Sequence, residues 1–222
     1  SANEEILRQQ AQPDQAEMRT TAVALKLTGD TAVWAHIGDS RLYRFSDGEL
    51  AEVTQDHSVT YRKFLGGEIS YMDVYHDDDR SRLLRVLGKE PCRPEAGSAP
   101  VSPGDAFLLC SDGFWEYVYN EEMQADLCKA RTPEEWTEFM LLRHIRRVGN
   151  IPHDVFLPDI LFRIIRTVSA QGDRYGTVAA VTPSLIRTHI HFIPQFFQFF
   201  FHCQRIVIIA PELFVFIIRH RC

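Results

Sequence analysis

The sequence predicts an α+β fold, and three stretches of the chain indicate this class. Residues 32–53 combine apolar runs with tight turns, which is typical of antiparallel strands. Ala106 to Cys110 is a short, continuous apolar run of the kind that forms a fully buried strand. The segment after Thr132 opens with a helix-capping signal and continues with apolar residues at helical spacing. Strands and helices are therefore both expected within one domain.

The central stretch, Trp34 to Ser58, is predicted to be an antiparallel meander with an acidic residue on one of its turns. Its first strand is apolar and is broken by Gly38, so that Asp39 emerges on a tight turn at the end of the strand. The strand pattern then resumes, and Asp47-Gly48 predicts a hairpin turn into the next strand. The pattern thus places one carboxylate, that of Asp39, at a strand end.

A second acidic residue, Asp112, directly follows the buried strand. It lies where the strand meets a turn that Gly113 permits. A lone carboxylate in such a position is costly to ionise unless a cation or hydrogen-bond donors stabilise it, which is the physical argument for metal ligation. An aspartate at a strand end can instead accept hydrogen bonds from the turn, and the residues taken alone favour this structural role.

Capping signals predict two helices. In the first, over residues 2–12, Asn3 is a possible cap and acidic residues fill the first turn. In the second, Thr132 is the cap, Pro133 takes the first helical position and Glu135 completes a capping box. Both helices are predicted from local chemistry.

Two further segments flank the meander. Thr20 to Leu27 alternates in the manner of a strand, whereas residues 59–87 have no strand pattern and are predicted to form an irregular flap. The flap contains the acidic run Asp77-Asp78-Asp79. These carboxylates can supply oxygen ligands to a metal, but a solvated surface is favoured for adjacent aspartates on a loop. The nearby Arg80, Arg82 and Arg85 could contact a phosphate, but salt pairing with the neighbouring acids is favoured.

The overall composition narrows the classes of partner and compartment. A formal net charge of −6 on 222 residues gives no basic surface for nucleic acid, although it is compatible with metal binding. The five cysteines include no Cys-x-x-Cys pair, which favours reduced thiols and a cytoplasmic location.

Three blocks of the sequence carry a resemblance to a known family. The first is Gly38-Asp39-Ser40-Arg41, followed by Thr54 and Asp56-His57-Ser58, the second is Leu87-Gly88, and the third runs from Phe107 to Glu116 and contains Ser111-Asp112-Gly113. In this order the blocks resemble the metal-dependent protein phosphatases (protein phosphatase 2C, PPM type). The third block and the short spacers are most similar to bacterial members, and the similarity runs from about Met18 to Asp154.

The resemblance implies a fold, a reaction and partners. The fold would be two stacked antiparallel β-sheets flanked by helices. The reaction would be hydrolysis of phosphoserine or phosphothreonine in a protein substrate by a water that Mn2+ or Mg2+ ions activate. Such an enzyme is expected to counter a serine/threonine kinase.

The resemblance also implies a set of metal ligands. Asp112 would hold one ion of the main cluster, Asp39 would hold an accessory ion, and Asp154 would complete the cluster from the C-terminal side. The family often writes this last motif with an asparagine after the aspartate, where this sequence has Val155. Asp173 is the second choice for that role, with residues 177–181 as its strand.

One block of the family has no counterpart in this sequence. The Asp-Gly pairs at Asp47 and Asp112 are not followed by His-Gly, so the family's Asp-Gly-His-Gly motif is missing. Residues 1–154 are therefore expected to be a partial PPM-type phosphatase domain, incomplete at its N-terminus and with impaired activity. The alternative is a catalytically silent phosphatase-like binding module.

Residues 155–222 differ in composition from the rest of the chain. Ten of the 15 phenylalanines fall in this segment, and its apolar runs have neither clear strand alternation nor helical spacing. An aberrant or divergent C-terminal tail is the favoured interpretation. A tail-anchored membrane protein is a third hypothesis, although each apolar run is shorter than the ~20 residues that span a bilayer.

Overall fold

The computed structural model describes residues 1–149 with their side chains, and the backbone of three later strands at 177–180, 203–210 and 213–220. These residues fall into two compact units: the first comprises Ser1–Arg41, Thr54–Pro100 and His202–Cys222, and the second comprises Leu42–Val53 and Val101–Phe201. Each unit contains one β-sheet.

The described residues form the following strands and helices. The strands are β1 (Arg19–Thr28), β2 (Thr31–Ile37), β3 (Arg41–Ser46), β4 (Glu49–Val53), β5 (Glu95–Pro100), β6 (Ala106–Cys110), β7 (Thr177–Ala180), β8 (Cys203–Ala210) and β9 (Leu213–His220). The α-helices are α1 (Ala2–Gln9), α2 (Val59–Leu65), α3 (Asp112–Trp115), α4 (Asn120–Lys129) and α5 (Pro133–Gly149). The combination is α+β, as predicted from the sequence.

The sheet of the first unit is antiparallel throughout, with the strand order β5-β2-β1-β9-β8. Its central strand, β1, buries one face through alternate apolar residues, of which Val23 and Leu25 are fully inaccessible. The helix α1 begins as predicted, but the expected cap at Asn3 is wrong. Ser1 is the cap, and the Asn3 amide oxygen instead accepts a hydrogen bond from the Gly88 N–H at 2.7 Å.

The predicted flap is not wholly irregular. It contains α2 and a short 3-10 helix over Met72–Tyr75. Its acidic run is engaged in charge pairing: the Lys63 ammonium lies 3.1 Å from an Asp77 carboxylate oxygen and 2.8 Å from one of Asp79. Arg82 Nη1 also lies 2.9 Å from an Asp79 oxygen, so the predicted pairing with a neighbouring arginine is confirmed at Asp79, and Lys63 is a further partner.

The sheet of the second unit has the order β4-β3-β6-β7. The β3–β4 hairpin turns at Asp47 and Gly48, which have φ of 52° and 79° as the two-residue turn requires. The strand β6 is buried along its whole length and pairs in parallel with β7. Helix α5 starts after Thr132, whose hydroxyl accepts the Glu135 N–H, so the predicted cap is confirmed.

The predicted continuous meander is wrong. The strand β2 pairs with β1 and β5 in the first sheet, whereas β3 and β4 form a hairpin in the second. The chain therefore changes sheets at the Gly38–Ser40 turn. Two strands in the C-terminal segment, β8 and β9, were not anticipated either, and β9 pairs with β1. The predicted domain boundary at residue 154 lies outside the described residues.

Candidate metal-binding aspartates

Asp39 lies in the first unit, on the turn that follows β2. The residue is only 3% exposed. Gly38, immediately before it, has φ of +101°, and a Cβ atom at this position would collide with the Thr21 Cγ2 methyl. Glycine is therefore strongly favoured at this position, and Asp39 is presented from a turn whose backbone is fixed by packing. A carboxylate buried to this degree is costly to charge unless donors or a cation stabilise it.

Hydrogen bonds from two other segments hold this turn. His57 forms a reciprocal pair of hydrogen bonds with Gly38. The backbone N–H of His57 donates to the Gly38 carbonyl at 2.9 Å, and the ring Nδ1 of His57 accepts the Gly38 backbone N–H at 3.1 Å. The Ser40 and Thr21 hydroxyls lie 2.9 Å apart within hydrogen-bond distance. The residues on both sides of Asp39 are thus anchored to neighbouring parts of the first unit.

A buried ion pair extends the same framework. The Arg41 guanidinium donates to both carboxylate oxygens of Asp56, from Nε at 2.8 Å and from Nη2 at 2.6 Å, and the two side chains are 1% and 2% exposed. Bidentate geometry of this kind is strong and directional. Arg41 follows the turn and Asp56 precedes His57, so the ion pair fixes the two segments against each other.

His57 also belongs to a polar cluster with His36, Arg85 and Glu95. The His36 and His57 rings stack with centroids 4.7 Å apart and planes 6° apart. The Glu95 carboxylate lies 3.3 Å from His57 Nε2 and accepts from Arg85 at 2.7 Å. Burial lowers the pKa of the His57 imidazole and the nearby His36 ring lowers it further, and this outweighs the opposite effect of Glu95. His57 is therefore neutral at pH 7.

The two histidines and Glu95 offer three ligand atoms within 4.8 Å of one another. Their arrangement nevertheless does not suit a metal ion. His57 Nδ1 already accepts the Gly38 N–H, and Nε2 lies 3.2 Å from the Arg85 Nη1 donor and 3.3 Å from a Glu95 oxygen, so both ring nitrogens already have partners. Because the rings are nearly parallel, their in-plane lone pairs do not converge on one point between them.

Asp112 lies in the second unit, at the start of α3 and just after the buried strand β6. Its Oδ1 accepts the N–H of Gly113 at 2.7 Å, and the side chain is partly exposed. The sequence left two roles open, metal ligand and acceptor for the turn. The Gly113 bond satisfies only one lone pair of the carboxylate, so the two roles are compatible in the same residue.

A second buried histidine contacts the turn at Asp112. His144, on α5, is 2% exposed, and its Nε2 lies 2.6 Å from the carbonyl oxygen of Gly113. The ring stacks on Phe114 with centroids 5.6 Å apart and packs edge-on against Tyr117. In each unit, therefore, a glycine next to a candidate aspartate is hydrogen bonded to a buried histidine.

The structure describes two of the four predicted metal ligands. Asp39 and Asp112 lie in different units, and Asp154 and Asp173 fall outside the described residues. The sequence analysis gave no role to His57 or His144. His57 stands in a block that was recognised, and His144 continues the apolar helical spacing of Trp136 and Met140, but their partners become evident only from the three-dimensional contacts.

The donor chemistry of Asp39 and Asp112 fits Mn2+ or Mg2+. Both metals favour carboxylate oxygens, and both aspartates occupy strand ends where the backbone is held rigidly. A full cluster needs several such ligands acting together. Asp39 and Asp112, the two candidates that the structure describes, each offer carboxylate oxygens of this kind.

Comparison with known proteins identifies the class. Residues 2–140 match the family described as Protein phosphatase 2C. The chain therefore belongs to the protein phosphatase 2C family. The serine/threonine phosphatase stp of Listeria monocytogenes serotype 4b is 33% identical over 139 residues, which is 62% of this chain and 55% of the relative. The phosphatase PstP of Mycobacterium tuberculosis is 34% identical over 110 residues, 50% of this chain and 21% of the relative.

Solved structures of serine/threonine phosphatases are also similar to this chain. The M. tuberculosis phosphatase PstP/Ppp is similar with a TM-score of 0.58 and 31% identity, covering 65% of this chain and 61% of that one. An S. agalactiae serine/threonine phosphatase, with a TM-score of 0.61, 24% identity and coverage of 67% and 62%, supports the fold alone. So does the catalytic domain of PstP in complex with two manganese ions, with a TM-score of 0.52, 19% identity and coverage of 98% and 66%.

Two facts bound the comparison. The chain spans about half the length of the Listeria relative. Among the residues that the structure describes, no helix is both long and apolar enough to cross a bilayer.

Proposed function

We propose that this chain carries out, or belongs to a protein that carries out, metal-dependent hydrolysis of phosphoserine or phosphothreonine in protein substrates. One observation carries the proposal: Asp39 and Asp112 both follow β-strands, next to glycines held by buried histidines, within the region that matches the family. Strand-end carboxylates on rigid turns are suited to binding hard cations.

In this proposal, each aspartate has a separate role. Asp112 holds one Mn2+ or Mg2+ ion of the main cluster, Asp39 holds an accessory ion, and Asp154, or failing it Asp173, completes the set. When bound, these ions lower the pKa of a coordinated water so that it attacks phosphorus at neutral pH. The manganese ions in the PstP complex support Mn2+ as the first metal to test.

The chain's own residues prepare the binding groups. The N–H of Gly113 donates to one oxygen of Asp112 and so orients the carboxylate while leaving its other lone pairs for a cation. Burial excludes water from Asp39, and the low-dielectric surroundings strengthen the interaction of its carboxylate with any cation that reaches it.

The partners and compartment follow from the same proposal. The substrate is a phosphoprotein, and the opposing enzyme is a serine/threonine kinase. A cytoplasmic location is supported by the cysteines Cys92, Cys110 and Cys128, which form no disulfide in the part of the chain that the structure describes.

Hydrolysis of a phosphothreonine peptide by the 222-residue chain tests the proposal. Because the sequence contains no Asp-Gly-His-Gly block, we expect turnover to be slow. Whatever turnover occurs should require Mn2+ or Mg2+, stop when EDTA is added, and fall in Asp112→Asn. Asp78→Asn is the matched control, since it removes the same charge from an exposed position. Hydrolysis that persists in EDTA, or in Asp112→Asn, would contradict the proposal.

The missing block also favours a second candidate, a silent phosphatase-like binding module. The two candidates differ in one readout. Mn2+ binding that depends on Asp112, without any turnover, would favour the silent module, whereas metal-dependent turnover would exclude it.

A further inference from the structure

We propose that His57 is a positioning residue: it fixes the turn at Gly38 and thereby sets the carboxylate of Asp39 for the accessory cation. This inference rests on the metal role proposed for Asp39. It assigns a function to a buried residue that the proposed reaction does not otherwise use.

The first argument is the reciprocal hydrogen bonding. His57 contacts both backbone groups of one residue, since its own N–H donates to the Gly38 carbonyl and its Nδ1 accepts the Gly38 N–H. Two bonds in opposite directions fix the orientation of the peptide planes on either side of Gly38. The direction in which Asp39 leaves the strand depends directly on these planes.

The second argument is the geometry of Gly38 itself. Its φ of +101° leaves the usual strand conformation, and Thr21 packs against the space that a side chain would fill. Glycine is the most flexible residue, so without external bonds this turn would sample many conformations. The His57 contacts therefore remove flexibility at the residue next to Asp39.

The third argument concerns the alternative role of His57 as a metal ligand. Its Nδ1 is occupied by the Gly38 N–H, and its Nε2 lies 3.2 Å from the Arg85 Nη1 donor and 3.3 Å from the Glu95 carboxylate. A metal ion at Nε2 would have to displace the Arg85 guanidinium, whose positive charge also repels a cation. The ring is thus arranged to hold the turn.

Two substitutions at His57 separate the effects. The amide oxygen of His57→Asn lies near the place of Nδ1 and can accept the Gly38 N–H. The amide of His57→Gln reaches the place of Nε2 and leaves that N–H without its acceptor. His36→Phe is the control, because it keeps the stacked ring but removes a hydrogen bond made elsewhere, to the Gln55 carbonyl.

Two NMR readouts on the full chain report the outcome. The hydrogen-exchange protection of the Gly38 amide measures the bond to His57, and the broadening of the Asp39 amide signal by Mn2+ measures cation binding at the turn. We expect His57→Asn and His36→Phe to resemble the wild type in both. In His57→Gln, Gly38 protection should be lost and at least about tenfold more Mn2+ should be needed for equal broadening.

The possible failures are distinguishable. If His57→Gln broadens at the same Mn2+ concentration as the wild type, the positioning role is overturned while the metal role of Asp39 stands. The positioning role is also overturned if His57→Asn, which retains the acceptor, loses both the Gly38 protection and the Mn2+ response. If the wild type keeps Gly38 protected but shows no Mn2+ broadening at Asp39, the metal role fails and the positioning role fails with it.

Discussion

At the scale of single residues, Gly38 is the position where the backbone is most tightly constrained. Its positive φ excludes side chains for conformational reasons, and the Thr21 methyl excludes them by contact. The backbone strain and the contact with Thr21 each add a separate free-energy cost when a side chain is introduced. A glycine elsewhere in the same unit, Gly29, also has positive φ, of +59°, but a Cβ there would meet no atom within 4 Å.

This pair of glycines gives a prediction. Gly38→Ala should lower the free energy of unfolding by about 2 to 5 kcal/mol, because about 1 to 2 kcal/mol of backbone strain is added to about 1 to 3 kcal/mol of overpacking. Gly29→Ala carries the backbone strain alone and should lose about 1 to 2 kcal/mol. Urea denaturation of the two variants measures both values. Equal losses would show that the contact with Thr21 relaxes freely.

Single residues also show what the sequence could and could not predict about the site. The strand-end positions of Asp39 and Asp112 could be predicted because each follows an apolar strand and lies beside a glycine, which is a local pattern, whereas their role as metal ligands rests on the resemblance to the family. His57 and His144 were missed because their roles depend on which distant backbone groups they meet, Gly38 and Gly113. No local pattern encodes such a pairing.

At the scale of elements, the α4–α5 pair is joined by a charge cluster. The Arg147 guanidinium donates to both oxygens of Glu122, at 2.7 and 2.6 Å, and Arg143 donates to both oxygens of Asp126, at 2.6 and 2.8 Å. Burial raises the pKa of the Glu122 carboxyl, but the bonds from Arg147 and from the Tyr119 N–H lower it by more, so that the pKa lies below its ordinary value.

The lowered pKa of Glu122 predicts a pH dependence. The folded state binds the proton less readily than the unfolded state, so the stabilisation is complete above the ordinary glutamate pKa of about 4.3 and is lost as pH falls through the lowered value. Glu122→Gln should therefore lose less unfolding free energy than the wild type as the pH falls below about 4.3. The difference should be at most about 1 kcal/mol, because the Glu122–Arg147 pair is partly exposed. Urea denaturation from pH 3 to pH 7 measures it. The neighbouring exposed Glu121 provides the control, and an identical pH profile for the wild type and Glu122→Gln would contradict the prediction.

Elements were predicted well where they depend on local chemistry. The hairpin at Asp47-Gly48 follows from the positive φ that its turn requires, and the start of α5 follows from the Thr132 cap. The meander failed because strand pairing is non-local. An apolar strand such as β2 can pair with any strand of matching length, and its partners proved to be β1 and β5 rather than β3.

At the scale of the whole molecule, the C-terminal strands complete the first sheet. The strand β9 pairs with β1 over Leu213–His220, in register with residues 19–26, and β8 pairs with β9. The segment that was interpreted as an aberrant tail thus contributes backbone hydrogen bonds to a sheet.

This pairing predicts the effect of removing the segment. Deletion of residues 202–222 should leave β1 bonded to β2 and, at Thr20, to Leu87, because its neighbour on the other side, β9, is lost. In an antiparallel strand, alternate amides face opposite neighbours, so every second β1 amide should lose exchange protection while the others keep it. Hydrogen exchange of the two chains measures this. Protection unchanged along all of β1 would show that β9 is not its neighbour.

The central claim for the whole molecule is that this member of the protein phosphatase 2C family binds Mn2+ through its strand-end aspartates. A Mn2+ titration of the 222-residue chain, followed by electron paramagnetic resonance, tests it most directly. We expect weak binding, because few carboxylates are available. Asp112→Asn should weaken it at least about tenfold, Asp39→Asn should weaken it less, and Asp78→Asn should leave it unchanged. Superimposable titrations of the wild type, Asp112→Asn and Asp78→Asn would contradict the claim.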